Sequence, residues 1–490
     1  MKNNINKYNN KAGAGGLWQR YDHDRRWWYI FIILVFFIKL TIYFFDHTPM
    51  FFLGDSQVYL NTAVNGFIPT DRSFVYGFFI RLVTGQSRSL YNLILLQTLF
   101  GAVSAIIVAY ILKKFFAVSS KIAFAAGLLC AIEPLQLFYE RYAMTETLAL
   151  FVFAVYSVLV LYYLRRPGLS YIFALQLVGL ALISLRMSYL PLVLVVTALL
   201  PFLGTWAVWL AEPGNRKLQW GVWGGLLLHL IFSAGIMYLT HSTYKHLLGN
   251  LVDRPPAYRY EDGAALMACW SPLIEPEDFT DKTLGKEVFS RLTLNPKARK
   301  KRASQRYWDG GLVHVLWSLT GGDRAKADVI AKSAAVHAAR RDPVGLFRLY
   351  LAGFNDYWNI GFLKGLLRLD RGCLNKPYPQ NFVSFLHNNF NYDARCADTL
   401  VSRYFFGSWP WYPFLLLTPF WVLLLFFNRF VIWPYTTVLF IFSCFLMTIP
   451  ATFPDVRYIQ PLGWLIFIVV PLLLSRILSI ERRFTQKSLG

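Results

Sequence analysis

Metal-ligand and redox spacings are missing from this chain. Its five cysteines, Cys130, Cys269, Cys373, Cys396 and Cys444, include no C-x-x-C pair, which excludes a zinc-ribbon or thioredoxin-like site. Cys130 and Cys444 fall inside apolar runs and read as small core residues. Cys373 and Cys396 sit in an Asn/Pro-rich stretch, and an oxidising compartment would let them pair. His241 and His246 are too few for a zinc centre. Acidic residues are scarce as well: 27 Asp and Glu stand against 49 Lys and Arg, for a net charge of +22. A solenoid-type repeat is lacking. So are the paired, interrupted spans that would mark an inverted-repeat transporter. The polar N-terminal stretch leads into an apolar run with no small-residue cleavage site, so that run is expected to stay as an anchor.

What the chain has in abundance is apolar length. It is 56% hydrophobic and 18% aromatic. Ten runs, at 27–45, 90–112, 122–138, 147–164, 171–185, 188–210, 220–240, 409–427, 431–449 and 459–479, approach the roughly 20 residues that span a bilayer core of about 30 Å. Lipid offers no partner to open backbone groups, so such runs must be helices. The fold expected is therefore an all-α polytopic membrane protein. Lys and Arg in the short loops set its orientation. The basic N-terminal stretch, Lys113–Lys114–Lys121, Arg165–Arg166, Arg216–Lys217, Arg429 and the basic C-terminal stretch all fall on one side. That alternation predicts ten spans with both termini in the cytoplasm. It also explains the net charge, because the basic residues are scattered over loop ends rather than gathered on one face; nucleic acid is not an expected partner.

The predicted organisation follows. Residues 1–26 form a disordered cytoplasmic tail. Residues 27–240 form a seven-span module whose first outer loop (46–89) holds two short interfacial helices, at 57–64 and 74–83. Residues 241–408 form a mainly helical outer segment, with a charged helix over 282–306 and an interfacial helix within 343–369. Residues 409–479 form a three-span module, and 480–490 a cytoplasmic tail. Lys39, inside the first span, is expected to snorkel to the outer interface.

Ionisable residues that interrupt the apolar runs cluster at one predicted side. A charge at that depth is costly, so a one-sided cluster marks a candidate site. Asp55, in Gly54-Asp55-Ser56, could act as a general base whose pKa apolar neighbours raise, although spacing alone favours a cap for the helix that follows. Glu133, Glu140, Arg141 and Glu146 lie in the tract joining the third and fourth spans. Glu133 is expected to pair with Arg141 or Arg186, or to touch a polar substrate, while Thr145 and Glu146 suit the start of the next helix. Arg186 stands at a bend, and Arg457-Tyr458 opens the last span beside Asp455. Either arginine could grip a phosphate through its two-pronged guanidinium. Basic residues at 297–302 and 340–341 are further candidates. The carboxylates leave room for a divalent cation, though no dedicated metal motif is present.

The order and common side of these elements, Gly54-Asp55-Ser56, the tract from Glu133 to Glu146, the Arg186-Met187-Ser188 bend and Arg457-Tyr458 with Pro461, resemble the integral-membrane GT-C glycosyltransferases. The branch they resemble is the protein mannosyltransferase, aminoarabinose transferase and dolichyl-phosphate-mannose-mannosyltransferase-like group. The likeness is best over 27–210, recurs at 450–470 and is weak across 241–408. It implies a GT-C-type helix bundle in the bacterial inner membrane with its active site facing the periplasm. It further implies a polyprenyl-phosphate-linked sugar as donor, a glycan, lipid A or protein as acceptor, and Asp55 as catalytic base. Glu133, Glu140, Arg141, Glu146, Arg186, Arg457 and Tyr458 would contact substrate. Many relatives carry two adjacent acidic residues where this chain has Asp55-Ser56, so a second carboxylate would have to come from Glu133, Glu140 or Glu146. Two rival functions are a lipid-linked saccharide transporter or flippase, for which His229 would be the mid-membrane group, and an O-antigen polymerase or ligase-like enzyme.

Overall fold

The computed structural model describes residues 14–52, 54–211, 216–359, 361, 363–365, 367, 377–394, 398–408, 411–426, 433–448 and 455–488. Cys373 and Cys396 lie outside these residues. Among the described residues the regular structure is helical, joined only by an isolated parallel bridge between Met50 and Tyr142. By length and composition six helices among these residues can cross a membrane: Arg25–Phe45, Leu90–Lys114, Glu146–Arg165, Met187–Leu210, Gly224–Val252 and Val456–Ile477. The apolar helices Phe74–Thr84, Ser120–Ala131, Leu169–Leu185 and Trp433–Leu446 are shorter.

Several expected boundaries shift, each for a local reason. Helix α1 (Ala14–Phe45) runs through much of the tail that was expected to be disordered. The run at 122–138 is two helices, because Pro134 cannot continue the first and Glu133 starts the second. The Glu133 carboxylate accepts from Gln136 N at 2.6 Å, so its partner is a helix end rather than Arg141 or Arg186. The run at 409–427 is likewise divided, into Trp411–Leu415 and Thr418–Phe426. The run at 220–240 belongs to a 37-residue helix, Arg216–Val252, that projects well past it. The charged helix expected over 282–306 stops at Ser290.

Two hydrophobic cores result. The larger belongs to the apolar bundle, where α4 (Leu90–Lys114) packs against α1, α5 (Ser120–Ala131), α7 (Glu146–Arg165) and the final helix, Gln460–Ser488. The smaller belongs to a polar unit, in which the alanine face of Arg324–Arg341 packs on Asp262–Cys269 and Leu312–Leu319. Helices α2 (Asp55–Asn65) and α3 (Phe74–Thr84) pack on each other and belong to the larger core. They bury Tyr59, Leu60, Tyr76 and Ile80 but leave Phe78 and Leu82 exposed.

A sealed polar cluster ties the bundle together. Lys39 does not snorkel: its side chain is 0% exposed, and Nζ donates to Glu140 Oε1, also 0% exposed, at 2.5 Å. Arg141 lies 3.8 Å from the same carboxylate and donates to the Asp46 carbonyl (2.6 Å) and Thr98 Oγ1 (3.0 Å). Gln97 donates to the carbonyls of Glu140 and Tyr142 and accepts from Tyr76 Oη. Met50 N and Ala143 N complete the junction with bonds to Arg141 O and Met50 O. Space for the Glu140 carboxylate exists because residue 101 is glycine; a Cβ there would sit 1.8 Å from Glu140 Oε1.

Removing one member of a sealed ion pair strands the other, at a cost of about 3–5 kcal/mol. Lys39→Met is therefore expected to lower the melting temperature in detergent by several degrees, and adding Glu140→Gln should recover much of the loss. Gly101→Ala should be as damaging as Lys39→Met. A Lys39→Met protein that melts like wild type would remove the pair from the scaffold.

Candidate functional site

A cavity of about 560 Å³ opens where the ends of the apolar helices meet the polar unit. Of the residues singled out in the sequence, Asp55, Glu146, Arg186, Arg457 and Tyr458 line it. Glu133, Glu140 and Arg141 do not: Glu133 caps α6 (Pro134–Tyr139), and the other two belong to the sealed cluster. These three therefore lie away from the other sequence-predicted site residues, in contacts that hold the helices together.

Local geometry aims Asp55 at the cavity. Gly54 precedes α2 with φ +87°, a conformation that favours glycine. Ser56 is buried, and its hydroxyl accepts from Phe52 N at 2.8 Å, closing the turn. The Asp55 side chain does not cap the helix. Arg72 Nε donates to its Oδ1 at 2.7 Å and Arg457 Nη1 to its Oδ2 at 2.5 Å. Burial alone would push this carboxyl up, but the charges and hydrogen bonds of Arg72 and Arg457 outweigh it. They hold it well below the usual carboxylate range, the reverse of the upward shift expected from apolar neighbours.

The pairing continues on both sides. Arg72 Nη1 donates to Asp71 Oδ2 (2.7 Å), which also accepts from Arg306 Nη2 (3.1 Å). Arg306 lies 3.8 Å from Glu261. In the other direction Arg457 lies 2.8 Å from Asp455, whose Oδ1 caps Arg457 N. Beside this chain Glu146, in the first turn of α7, pairs with Arg186 at 3.1 Å. Arg186 is where α8 (Leu169–Leu185) ends in extended backbone before α9 (Leu190–Ala211), so the expected bend is present. The Tyr458 ring is near both guanidiniums, its centroid 5.3 Å from Arg186 and 5.1 Å from Arg457.

The polar unit contributes Arg259, paired with Asp262 at 2.8 Å, together with Arg306, Tyr307 and Lys332. Tyr244, in helix Arg216–Val252, and Tyr258, in the loop beyond it, complete an aromatic side, and Ile183, Leu185, Met187 and Pro191 an apolar one. The basic residues at 297–302 and 340–341 face elsewhere: Arg299 pairs with Asp356, Arg302 donates to Cys269 O, and Arg341 pairs with Asp278. His241 bonds to the Tyr258 hydroxyl at 2.6 Å. Among the described residues no three His, Cys, Asp or Glu side chains are placed to hold a metal ion.

The residues that sequence reasoning missed are Asp71, Arg72, Arg259, Asp262, Arg306 and Lys332. Only Asp71-Arg72 carried a usable signal, adjacent opposite charges just before the Ser73 cap of an apolar helix. Comparison with family models, curated proteins and solved structures finds no match to this chain.

A carboxyl held low in the folded state contributes stability above its unfolded pKa of about 3.9, and loses it as pH falls toward the folded value. The stability difference between wild type and Asp55→Asn, about 1–3 kcal/mol for charge-assisted bonds, should be constant from pH 8 to about pH 5 and shrink below about pH 4. Thermal melts of both proteins across that range test the assignment. A gap that widens on acidification would contradict it.

Proposed function

We propose that this chain is an integral-membrane glycosyltransferase of the GT-C kind, moving a sugar from a polyprenyl-phosphate carrier to a hydroxyl of a glycan, lipid A or protein. In this reading the ten apolar runs are the spans and Phe74–Thr84 lies in the interface, which would put both termini in the cytoplasm and the cavity at the periplasmic face of a bacterial inner membrane. One observation carries the reading: a carboxylate gripped by two arginines, with three further arginines and five tyrosines, in one cavity at the ends of apolar helices.

The three parts of such a donor have matching surroundings. Arginines suit the phosphate. Tyr59, Tyr244, Tyr258, Tyr307 and Tyr458 offer faces and hydroxyls to a sugar, and the wall from Ile183 to Pro191 suits the first isoprene units. In the reaction, Asp55 takes the proton of the acceptor hydroxyl while that oxygen bonds to the anomeric carbon. The bond from that carbon to the phosphate oxygen breaks, and polyprenyl phosphate departs as an anion stabilised by the arginines. Direct displacement inverts the anomeric centre.

General-base catalysis contributes about 10²–10⁴-fold. Asp55→Asn, with wild-type-like melting at pH 7 after allowance for its ion pairs, is expected to slow sugar release from a radiolabelled polyprenyl-phosphate sugar in nanodiscs by at least about 100-fold. Equal rates, or a product with retained configuration, would overturn this mechanism. A wild type that binds the donor but never releases its sugar would favour a transporter or flippase. For the topology, impermeant thiol reagents should reach Lys114→Cys only from the cytoplasm and Asp309→Cys only from the other side, in a cysteine-depleted background.

A further inference from the structure

We infer that Asp55 occupies, in the ligand-free protein, the place of the donor's phosphate, and that Arg72 and Arg457 form a clamp exchanged between the two anions. This rests on the glycosyltransferase reading only for the identity of the carrier; the ligand chemistry itself is a phosphate ester.

Three observations carry it. First, the two oxygens of Asp55 are taken by two different guanidiniums, Oδ1 by Arg72 and Oδ2 by Arg457. Two arginines on two oxygens of one small anion is the arrangement that suits the non-bridging oxygens of a phosphate. Secondly, each arginine has a second carboxylate that keeps it in place if Asp55 lets go: Asp71 for Arg72 at 2.7 Å, and Asp455 for Arg457 at 2.8 Å. The Asp55 contacts are thus the exchangeable ones, and their loss would leave the clamp standing. Thirdly, the clamp is open to the cavity. The side chains of Asp55, Arg72 and Arg457 are 14%, 17% and 20% exposed and all three line the cavity, whereas Lys39 and Glu140, a pair with a scaffold task, are 0% exposed. Arg186, 5.3 Å from the centroid of the Tyr458 ring and lining the same cavity, is near enough to join the clamp as a third cation.

The exchange has a chemical consequence. A carboxylate shared by two guanidiniums is a weak base, and one released from them is a better one. Phosphate binding therefore both anchors the donor and frees Asp55 to accept a proton, so the base is activated only when a donor is present. Arg72 is a binding residue in this scheme, and Asp71 a positioning residue acting through it.

The test is binding of polyprenyl phosphate, without its sugar, to the full chain in nanodiscs, compared with soluble inorganic phosphate and with neutral-lipid nanodiscs. Asp55→Asn removes the competing anion, so its affinity for polyprenyl phosphate should rise about tenfold over wild type. Asp55→Ser should behave alike and serves if the first variant folds poorly. Arg72→Gln and Arg457→Gln should each weaken binding at least about tenfold, and Arg72→Lys should recover only part of it. Inorganic phosphate at millimolar concentration should compete in wild type if the clamp alone recognises the group. Failure to compete, with tight polyprenyl phosphate binding and the same Asp55→Asn gain, assigns the clamp to lipid-borne phosphate. Unchanged or weaker binding by both Asp55 variants would overturn the proposal even if wild type transfers sugar. Tighter binding without sugar release by wild type would keep the clamp and overturn the enzyme reading.

Discussion

A single line of alternating charges, Asp455–Arg457–Asp55–Arg72–Asp71–Arg306–Glu261, holds the cavity in shape. It joins residues from the first loop, the polar unit and the entry to the last helix, segments far apart in sequence. Each charge is partly removed from water, a state that is tolerable only because its neighbours in the line have the opposite sign. The line is therefore interdependent: neutralising one member leaves its neighbours with half their compensation. Such a string is a poor source of net stability and a good source of geometry, since few other arrangements satisfy all of its members at once. Its two interior carboxylates, Asp55 and Asp71, each serve two arginines.

The molecule contains a second charged cluster built to the opposite specification. Lys39, Glu140 and Arg141 have no access to solvent and are held by fixed partners on α1, α4 and the chain before α7, with Glu140 Oε2 and Arg141 Nη2 left without a hydrogen bond. Close packing at Gly101 leaves that cluster no freedom. The cavity line has the same ingredients but faces open volume. Residue chemistry alone does not separate scaffold from site; accessibility does. The sealed cluster fixes the 140–146 tract against α4, and that in turn places Glu146 opposite Arg186.

This distinction explains what the sequence made legible. Asp55, Glu146, Arg186, Arg457 and Tyr458 were readable because each interrupts or borders an apolar run, where a charge or hydroxyl stands out. Glu140 and Arg141 stand out for the same reason yet lie in the sealed cluster away from the cavity, because depth in a run reports cost rather than purpose. Lys39 was misread because a lysine near a helix end has a cheaper option, snorkelling, than the buried carboxylate it actually finds. Arg259, Arg306 and Lys332 were invisible because in a polar segment a basic residue is ordinary. The helical character of the apolar runs among the described residues was legible from their length. The breaks at Glu133-Pro134 and around residues 416–417 were not, since hydropathy averages across a proline whose missing N–H ends a helix.

Placement at a seam gives the cavity its chemical range. The first loop docks on the polar unit through Tyr260 N to Thr70 O at 2.8 Å, Thr70 Oγ1 to Glu261 at 3.2 Å and Arg306 to Asp71. The same loop carries Asp55 and Arg72, so docking and the assembly of the charged line are one event. Glu261, which receives Thr70, has a left-handed backbone (φ +62°), a conformation that costs a non-glycine residue about 1–3 kcal/mol and persists only where its surroundings hold it. A site built this way draws apolar walls from the bundle and cations and aromatics from both parts, a combination that neither part has alone. A small shift of the polar unit would move Arg306, then Asp71, then Arg72, and so change the grip on Asp55 without disturbing the sealed cluster beneath it. Under the exchange proposed above, the rigid lower cluster and the upper line would be complementary requirements: one keeps the cavity's shape while the other trades one anion for another.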